Sequence, residues 1–424
     1  MLVIAAPGQG AQTPGFLAPW LEIPGVAERL ASWSDLAGCD LIRHGTAGTA
    51  DEIRDTAVAQ PLLIGAALAA AWTMGIGSPA SDGQAGSGAS QRPGPNGAGP
   101  RGRGERQPGA IAAGHSVGEL AAGAIGGVLS AQDAVRLVGV RGRAMAEAAA
   151  VTRTSMTAVL GGDEDEVLRS LDKHGLTPAN VNAAGQVVAA GTAEQLAAFA
   201  ADAPARARLR PLQVAGAFHT SHMAPAVEAL RAAAATVTVH DPVMTVLSNR
   251  DGAAVHTGAD WLERICAQVS APVRWDRCME TMTSLGASAL IELPPAGTLV
   301  GLARRAMSGI KTLAVKTPED LEAAWALLAE HEVYSDSHTP EWRLVVAPLA
   351  GTFRSVAAPG EPGAAVSNGV ELGRVEMRGD SHLVTASFPA TILEWLVEDG
   401  DPVNPGQPLV RLEPVAHAVS EGGH

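Results

Sequence analysis

The run Ala110-Ile111-Ala112-Ala113 enters Gly114-His115-Ser116-Val117-Gly118-Glu119-Leu120 and passes straight into a stretch rich in small residues. A serine with a glycine two positions to either side, after an apolar strand and before a helix, lets the backbone turn sharply. The turn lifts the hydroxyl above a helix N-terminus, where a nucleophile would stand. A strand that feeds directly into a helix implies an α/β body built on a parallel sheet. The plain alternative is a tight turn whose serine caps the helix, and the motif alone leaves both open.

At 424 residues the chain is long enough for two or three domains. Forty-four acidic against thirty basic side chains give a net charge of −14, which disfavours nucleic acid as a partner. A local basic patch could still receive an acidic one. Cys39, Cys266 and Cys278 are far apart and form no CxxC pair, so neither a disulfide framework nor a structural zinc site is expected, and no metal at all. The start, MLVIAAPGQG, has no basic n-region, and no apolar run reads as long enough to cross a bilayer. The expectation is a cytoplasmic monomer without membrane contact.

Composition shifts divide the chain. Residues 78–109 are dense in Gly, Pro, Ser and Arg with almost no large apolar side chain, the composition of a disordered insertion. A helix is expected after Gln60-Pro61 and another from Ala131 to about Ala149. Residues 151–214 then read strand (Ser155 to Leu160), helix (Asp163 to His174), strands (Asn180 to Ala183, Gln186 to Ala190), helix (Thr192 to Ala201) and strand (Leu209 to Val214). That βαββαβ order is ferredoxin-like, inserted in an α/β, hydrolase-like body spanning 1–330. A linker at 331–342 leads to short β-like runs over 343–414, a small all-β, barrel-like domain, and a tail at 415–424.

Acyl transfer from a serine needs a base, a group that orients it, oxyanion donors and something that selects the acyl chain. PGQGAQ, after the apolar strand Leu2 to Ala6, offers Gln9 on a glycine turn; GAFHTSHM offers His219; VRGRAM places Arg141 among apolar neighbours. A buried guanidinium there would call for a carboxylate partner. Each has a bland reading: a solvated glutamine, a surface histidine, a helix-surface arginine.

Taken in order, PGQGAQ, GHSVGEL, VRGRAM, NAAGQVVAAG, GAFH, VLSN, QVSAPVRW and ELPPAGTLVGL resemble the malonyl-CoA:acyl carrier protein transacylases and the related acyltransferase domains of polyketide synthases, over about residues 1–315. Ala11, Pro294 and Ala183-Ala184 depart mildly from the usual pattern. The resemblance implies Ser116 as nucleophile and His219 as base, with the backbone carbonyl of Gln268 orienting the imidazole. It implies Gln9 and the backbone N–H of Val117 as oxyanion donors, and Arg141 as the partner of the malonyl carboxylate. His115, Phe218 and Asn182 would border the substrate, Phe218 favouring malonyl over methylmalonyl. The substrates would be malonyl-CoA and a phosphopantetheinylated acyl carrier protein, used in turn without a bound cofactor. The carrier is expected to dock on Arg206, Arg208, Arg304 and Arg305. A serine hydrolase or thioesterase of the α/β-hydrolase type shares the elbow and remains the alternative, as does an idle scaffold.

Residues 343–414 resemble the biotinyl/lipoyl carrier fold, through APLAGTF, NGVELGRVEM and ILEWLVEDGDPVNPGQPLVRLEP. The hairpin that should present a lysine reads MRGDSH, with Gly379 near the acceptor position, and no lysine follows Lys316. Biotin and lipoate both need a lysine amine, so neither is expected here.

Overall fold

The computed structural model describes residues 1–77, 109–331, 333, 343–356, 363–367, 369–377, 380–386 and 389–414. The chain divides into two units, Met1–Ser335 and Asp336–His424. The first begins with β1 (Leu2–Ala6), α1 (Val26–Ala37), α2 (Leu41–Ala47), α3 (Thr56–Thr73), β2 (Ala110–Gly114), α4 (Gly118–Ile125) and α5 (Ala131–Val151). Next come β3 (Thr154–Gly161), α6 (Glu164–Lys173), β4 (Thr177–Ala183), β5 (Gln186–Thr192), α7 (Ala193–Ala201) and β6 (Ala207–Pro211). It continues with α8 (Ala224–Ala234), β7 (Thr245–Leu247), β8 (Ala254–Val255), α9 (Gly258–Gln268) and β9 (Val273–Arg274). It closes with α10 (Trp275–Ser284), β10 (Ala289–Glu292), α11 (Leu299–Ala306), β11 (Lys311–Ala314) and α12 (Leu321–Glu330).

The main sheet has the order β11-β10-β1-β2-β7-β8, parallel except for the short β8. Parallel sheets carry helices on both faces, so their strands are apolar throughout. Every residue of β1 and β2 is buried accordingly. Alternation sends Leu2 and Ile4 into the larger core with α3 and α5, and Val3 and Ala5 into a second core against Trp275, Met279 and Leu299.

Helix α3 corrects two expectations. It begins before Pro61, at Thr56, because the Asp55 side chain accepts from Ala57 N–H and caps it; Pro61 lies inside. Its 18 residues, of mean hydropathy 1.4, are also long and apolar enough to cross a membrane, but 89% of them are buried in the core. Small residues explain the apolar length: seven alanines and Gly65 let neighbouring elements approach closely.

In α5, a Cβ on Gly139 would lie 2.3 Å from Ala37 O, and one on Gly142 would lie 3.0 Å from Thr56 O. These two glycines draw α1 and α3 against α5 and close the interior over Arg141 between them.

The segment β3-α6-β4-β5-α7-β6 forms an antiparallel sheet of order β6-β3-β5-β4, the ferredoxin-like arrangement, extended by β9 beside β4. Strand β6 ends at Pro211, earlier than the sequence suggests. Leu212 keeps one bond to β3, its N–H donating to Met156 O at 2.9 Å, and Leu212 and Val214 line the active-site cavity.

The second unit holds β12 (Arg343–Val346), β13 (Gly351–Ser355), β14 (Ala365–Val366) and β15 (Glu371–Met377). It continues with β16 (Asp380–Thr385), β17 (Ala390–Trp395), β18 (Pro402–Val403) and β19 (Pro408–Pro414). They form two antiparallel four-stranded sheets, β12-β19-β17-β14 and β16-β15-β13-β18, around Phe353, Val375, Ile392 and Leu412. The sequence expectations for 78–108, most of 331–342, the 378–379 hairpin tip with Gly379, and 415–424 lie outside the described residues.

Candidate active site

Gly114 and Gly118 bracket Ser116 because nothing larger fits. A Cβ on Gly114 would stand 1.9 Å from the carbonyl carbon of Gly118, and one on Gly118 would stand 2.3 Å from Ala6 O. Ser116 takes φ 53°, a conformation that side-chain-bearing residues hold only where the surroundings dictate it. Its N–H donates to Asn249 Oδ1 at 2.7 Å, which supplies that constraint. The hydroxyl then faces an open cavity lined by Gln9, His115, Met156, Phe218 and His219, with Val117 at the N-terminus of α4.

Ser116 Oγ lies 2.7 Å from His219 Nε2, and His219 Nδ1 lies 2.8 Å from the backbone oxygen of Gln268. A carbonyl oxygen only accepts, so Nδ1 carries the proton and Nε2 is left to accept from the serine. Gln268 ends α9, where the last carbonyls have no partner within the helix, and its oxygen takes His219 Nδ1 together with Ala271 N–H at 3.2 Å. Burial, and next the Arg141 charge, pull the His219 pKa down to about 3. The imidazole is therefore a neutral base throughout the ordinary pH range.

Arg141 is 1% exposed. Its Nη1 donates to Gln60 Oε1 at 2.7 Å, and its Nη2 donates to Gln268 Oε1 at 2.9 Å and reaches Ser116 Oγ at 3.5 Å. Its Nε is buried with no hydrogen-bond partner among the described residues. Among the described residues no carboxylate bonds Arg141 directly; two side-chain amide oxygens stand in that place. The compensating charge, Glu119, sits one glutamine away: Gln268 Nε2 donates to Glu119 Oε2 and, at 2.9 Å, to Ser116 O. Burial lowers the Arg141 pKa to about 10, with Glu119 opposing the shift, so it remains a cation.

Gly8 lets the PGQGAQ loop press on the elbow, since a Cβ there would lie 2.8 Å from His115 Nδ1. Gln9 reaches the cavity this way, while its Nε2 donates to Arg54 O at 3.0 Å. His115 Nε2 lies 2.9 Å from Asn182 Oδ1, and the ring meets Trp275 edge-on at 5.7 Å. Burial lowers its pKa, so it supports the elbow as a neutral ring. Phe218 is buried and lines the cavity beside His219.

The four basic candidates are all exposed. Arg304 Nε donates to Thr312 Oγ1 at 2.7 Å, and Arg305 Nη2 to Gln186 Oε1 at 3.2 Å. Arg208 pairs across from Leu160, and Leu160 across from Gln186. Arg208 and Arg305 therefore share one end of the subdomain sheet, with Arg206 just before it. Met156, which lines the cavity, is four residues further along β3, about 13 Å away at strand spacing.

A family model for the acyl transferase domain matches residues 101–320. The malonyl CoA-acyl carrier protein transacylase of Mycobacterium tuberculosis is 47% identical over 322 residues, 76% of this chain and 98% of that protein. The chain belongs to this transacylase family. The Escherichia coli K12 transacylase is 31% identical over 330 residues, covering 76% of this chain and 97% of that one. The crystal structure of MCAT from M. tuberculosis superposes with a TM-score of 0.67 at 46% identity, covering 76% and 98% of the two chains. A malonyl-transacylase solved in complex with its type II PKS acyl-carrier protein gives 0.64 at 28%, covering 77% and 99%.

In this transacylase Ser116, His219, Gln9, Val117, His115 and Phe218 line one cavity, and Arg141 and Gln268 adjoin Ser116 behind that lining; Asn182, expected to border the substrate, instead holds His115 from outside it, and Asn180 lines the cavity. Sequence reasoning missed Gln60, Glu119, Asn249 and the side chain of Gln268. Glu119 and Asn249 stand within GHSVGEL and VLSN, but nothing in either motif says that these side chains turn inward and meet.

Proposed function

We propose that this chain transfers malonyl from malonyl-CoA to the phosphopantetheine thiol of an acyl carrier protein in fatty acid synthesis, through an ester on Ser116. The observation that carries this is the buried Arg141 guanidinium beside Ser116 Oγ, held only by neutral amide oxygens and with one N–H unpartnered. A cation so placed favours an acyl group whose free carboxylate lies two bonds from the carbonyl under attack, and guanidinium suits a two-pronged pair with it.

In the first half-reaction Ser116 Oγ attacks the thioester carbonyl while its proton passes to His219 Nε2. The C–S bond then breaks, and His219 returns the proton to the departing CoA sulfur. In the second, the carrier's thiol gives its proton to His219 and attacks the acyl-serine, and Ser116 Oγ takes the proton back as it leaves. Val117 N–H, at the start of α4, and Gln9 are the candidate donors to the oxyanion in both. Donors of this kind are each worth on the order of 100- to 1000-fold in rate. Phe218, against the base, would crowd an α-methyl. A hydrolase triad is disfavoured because the group on His219 Nδ1 is a carbonyl rather than a carboxylate. CoA and carrier as substrates fit a cytoplasmic setting.

Arg141→Ala is expected to lower malonyl transfer roughly 100-fold in kcat/KM while leaving acetyl transfer far less affected; equal losses for both acyl groups would make Arg141 structural. For the carrier, Arg206, Arg208, Arg304 and Arg305 form the docking candidate. Reversing charge at Arg208 and Arg305 should raise KM for the carrier at low salt and less so at high salt. An unchanged KM would place docking elsewhere. For residues 343–414, the two four-stranded sheets and the short β15–β16 hairpin support the carrier-fold likeness, with no lysine to modify. Intact mass should accordingly lack biotin and lipoyl adducts, and either adduct would overturn the reading.

A further inference from the structure

Glu119 takes no part in the steps above, yet it is 2% exposed and bonded to both Asn249 and Gln268, which hold Ser116, His219 and Arg141. Its Oε1 accepts from Asn249 N–H at 2.8 Å, and its Oε2 accepts from Gln268 Nε2. Asn249 in turn fixes the elbow, its Oδ1 accepting from Ser116 N–H and its Nδ2 donating to Gly114 O at 2.8 Å. Gln268 holds His219 through its backbone oxygen and Arg141 through Oε1.

A glutamine amide can face two ways, and here the difference is decisive. With Nε2 toward Glu119, Oε1 faces Arg141 and accepts. Turned over, the amide would set N–H groups against a guanidinium that has only donors. Glu119 is an acceptor at both oxygens when ionised, and together with Ser116 O, which accepts from the same Nε2 at 2.9 Å, it admits only the first orientation. It also keeps its negative charge one side chain away from Arg141, close enough to offset the buried cation without occupying the face a substrate carboxylate would use.

We propose that Glu119 is a positioning residue for acyl selectivity: it locks the Gln268 amide so that Arg141 is held by a neutral oxygen and left open to the acyl carboxylate. This rests on the transacylase reading of Arg141.

The test is the ratio of malonyl to acetyl kcat/KM in three variants of the full chain: Glu119→Gln, Glu119→Asp and Arg141→Ala. Glu119→Gln has the native shape but one oxygen replaced by a donor, so either Asn249 N–H or Gln268 Nε2 loses its acceptor. The expected result is a fall in the ratio of about 100-fold, the scale of a misplaced binding group. Glu119→Asp leaves a gap but keeps two acceptors, and should retain more selectivity than Glu119→Gln. A packing role predicts the reverse order, and that order would overturn the proposal. If Arg141→Ala lowers the ratio and Glu119→Gln does not, the Glu119 inference alone fails. If Arg141→Ala leaves the ratio unchanged, the reading of Arg141 fails and this inference with it.

A measurement on the unaltered protein covers the case in which a variant does not fold. Burial raises the Glu119 pKa to about 7. The ionisable groups around it are Arg141 of α5, lowered only to about 10, and Cys278 of α10, whose thiol is raised by burial. Beyond Arg141 stand His219, lowered to about 3, and His115, also lowered. Asn249, Gln268 and Ser248 carry no charge. Protonating Glu119 turns one acceptor oxygen into a donor. The malonyl-to-acetyl ratio should therefore fall as pH drops through about 7, and a ratio that stays flat through that range would overturn the proposal.

Discussion

At the elbow the backbones of β2, α4 and the end of β1 touch with no room for a side chain. One added carbon at Gly114 would fall 1.9 Å from backbone, and one at Gly118 would fall 2.3 Å from it. This contact holds Ser116 at a left-handed φ, starts α4 directly beneath it, and turns the first residues of α4 inward. Glu119 is buried because α4 begins where it does. Asn249, on the neighbouring segment after β7, then finds both the Ser116 N–H and the Glu119 carboxylate within reach. A looser turn would release all three together.

The second constraint is electrostatic. A guanidinium taken wholly out of water is costly unless charge and hydrogen bonds compensate it. Direct pairing with a carboxylate would supply both and leave nothing for a substrate. Here the two tasks are separated: amide oxygens of Gln60 and Gln268 satisfy the N–H groups, and Glu119 supplies charge from behind Gln268. The same cation lowers the proton affinity of His219, adding to the larger effect of burial. Under the proposed function one buried residue thus serves both acyl choice and the state of the base.

Much of this was legible in the sequence where spacing maps directly to backbone. The elbow, the βαββαβ insertion and the positions of His219 and Arg141 follow from short motifs on successive elements. What escaped were side chains whose meaning depends on long-range meeting. Gln60 of α3 and Gln268 of α9 are 208 residues apart, yet both reach Arg141. A buried guanidinium calls for a carboxylate, and local sequence does not show that a glutamine stands between Arg141 and Glu119. Pro61 misled the start of α3 because the Asp55 cap outweighed it, and β6 stops at Pro211, one residue before a last bond from Leu212 N–H to Met156 O, because the chain then turns to the cavity.

The central claim is that Ser116 carries the acyl group between donor and carrier. Mixing the protein with malonyl-CoA in the absence of carrier, quenching within the first turnover, and measuring both released CoA and the mass of the Ser116 peptide tests it directly. The account predicts a burst of one CoA per chain and a malonyl group on that peptide, both lost in Ser116→Ala. A malonyl group on any other residue, or a burst that survives Ser116→Ala, would contradict it.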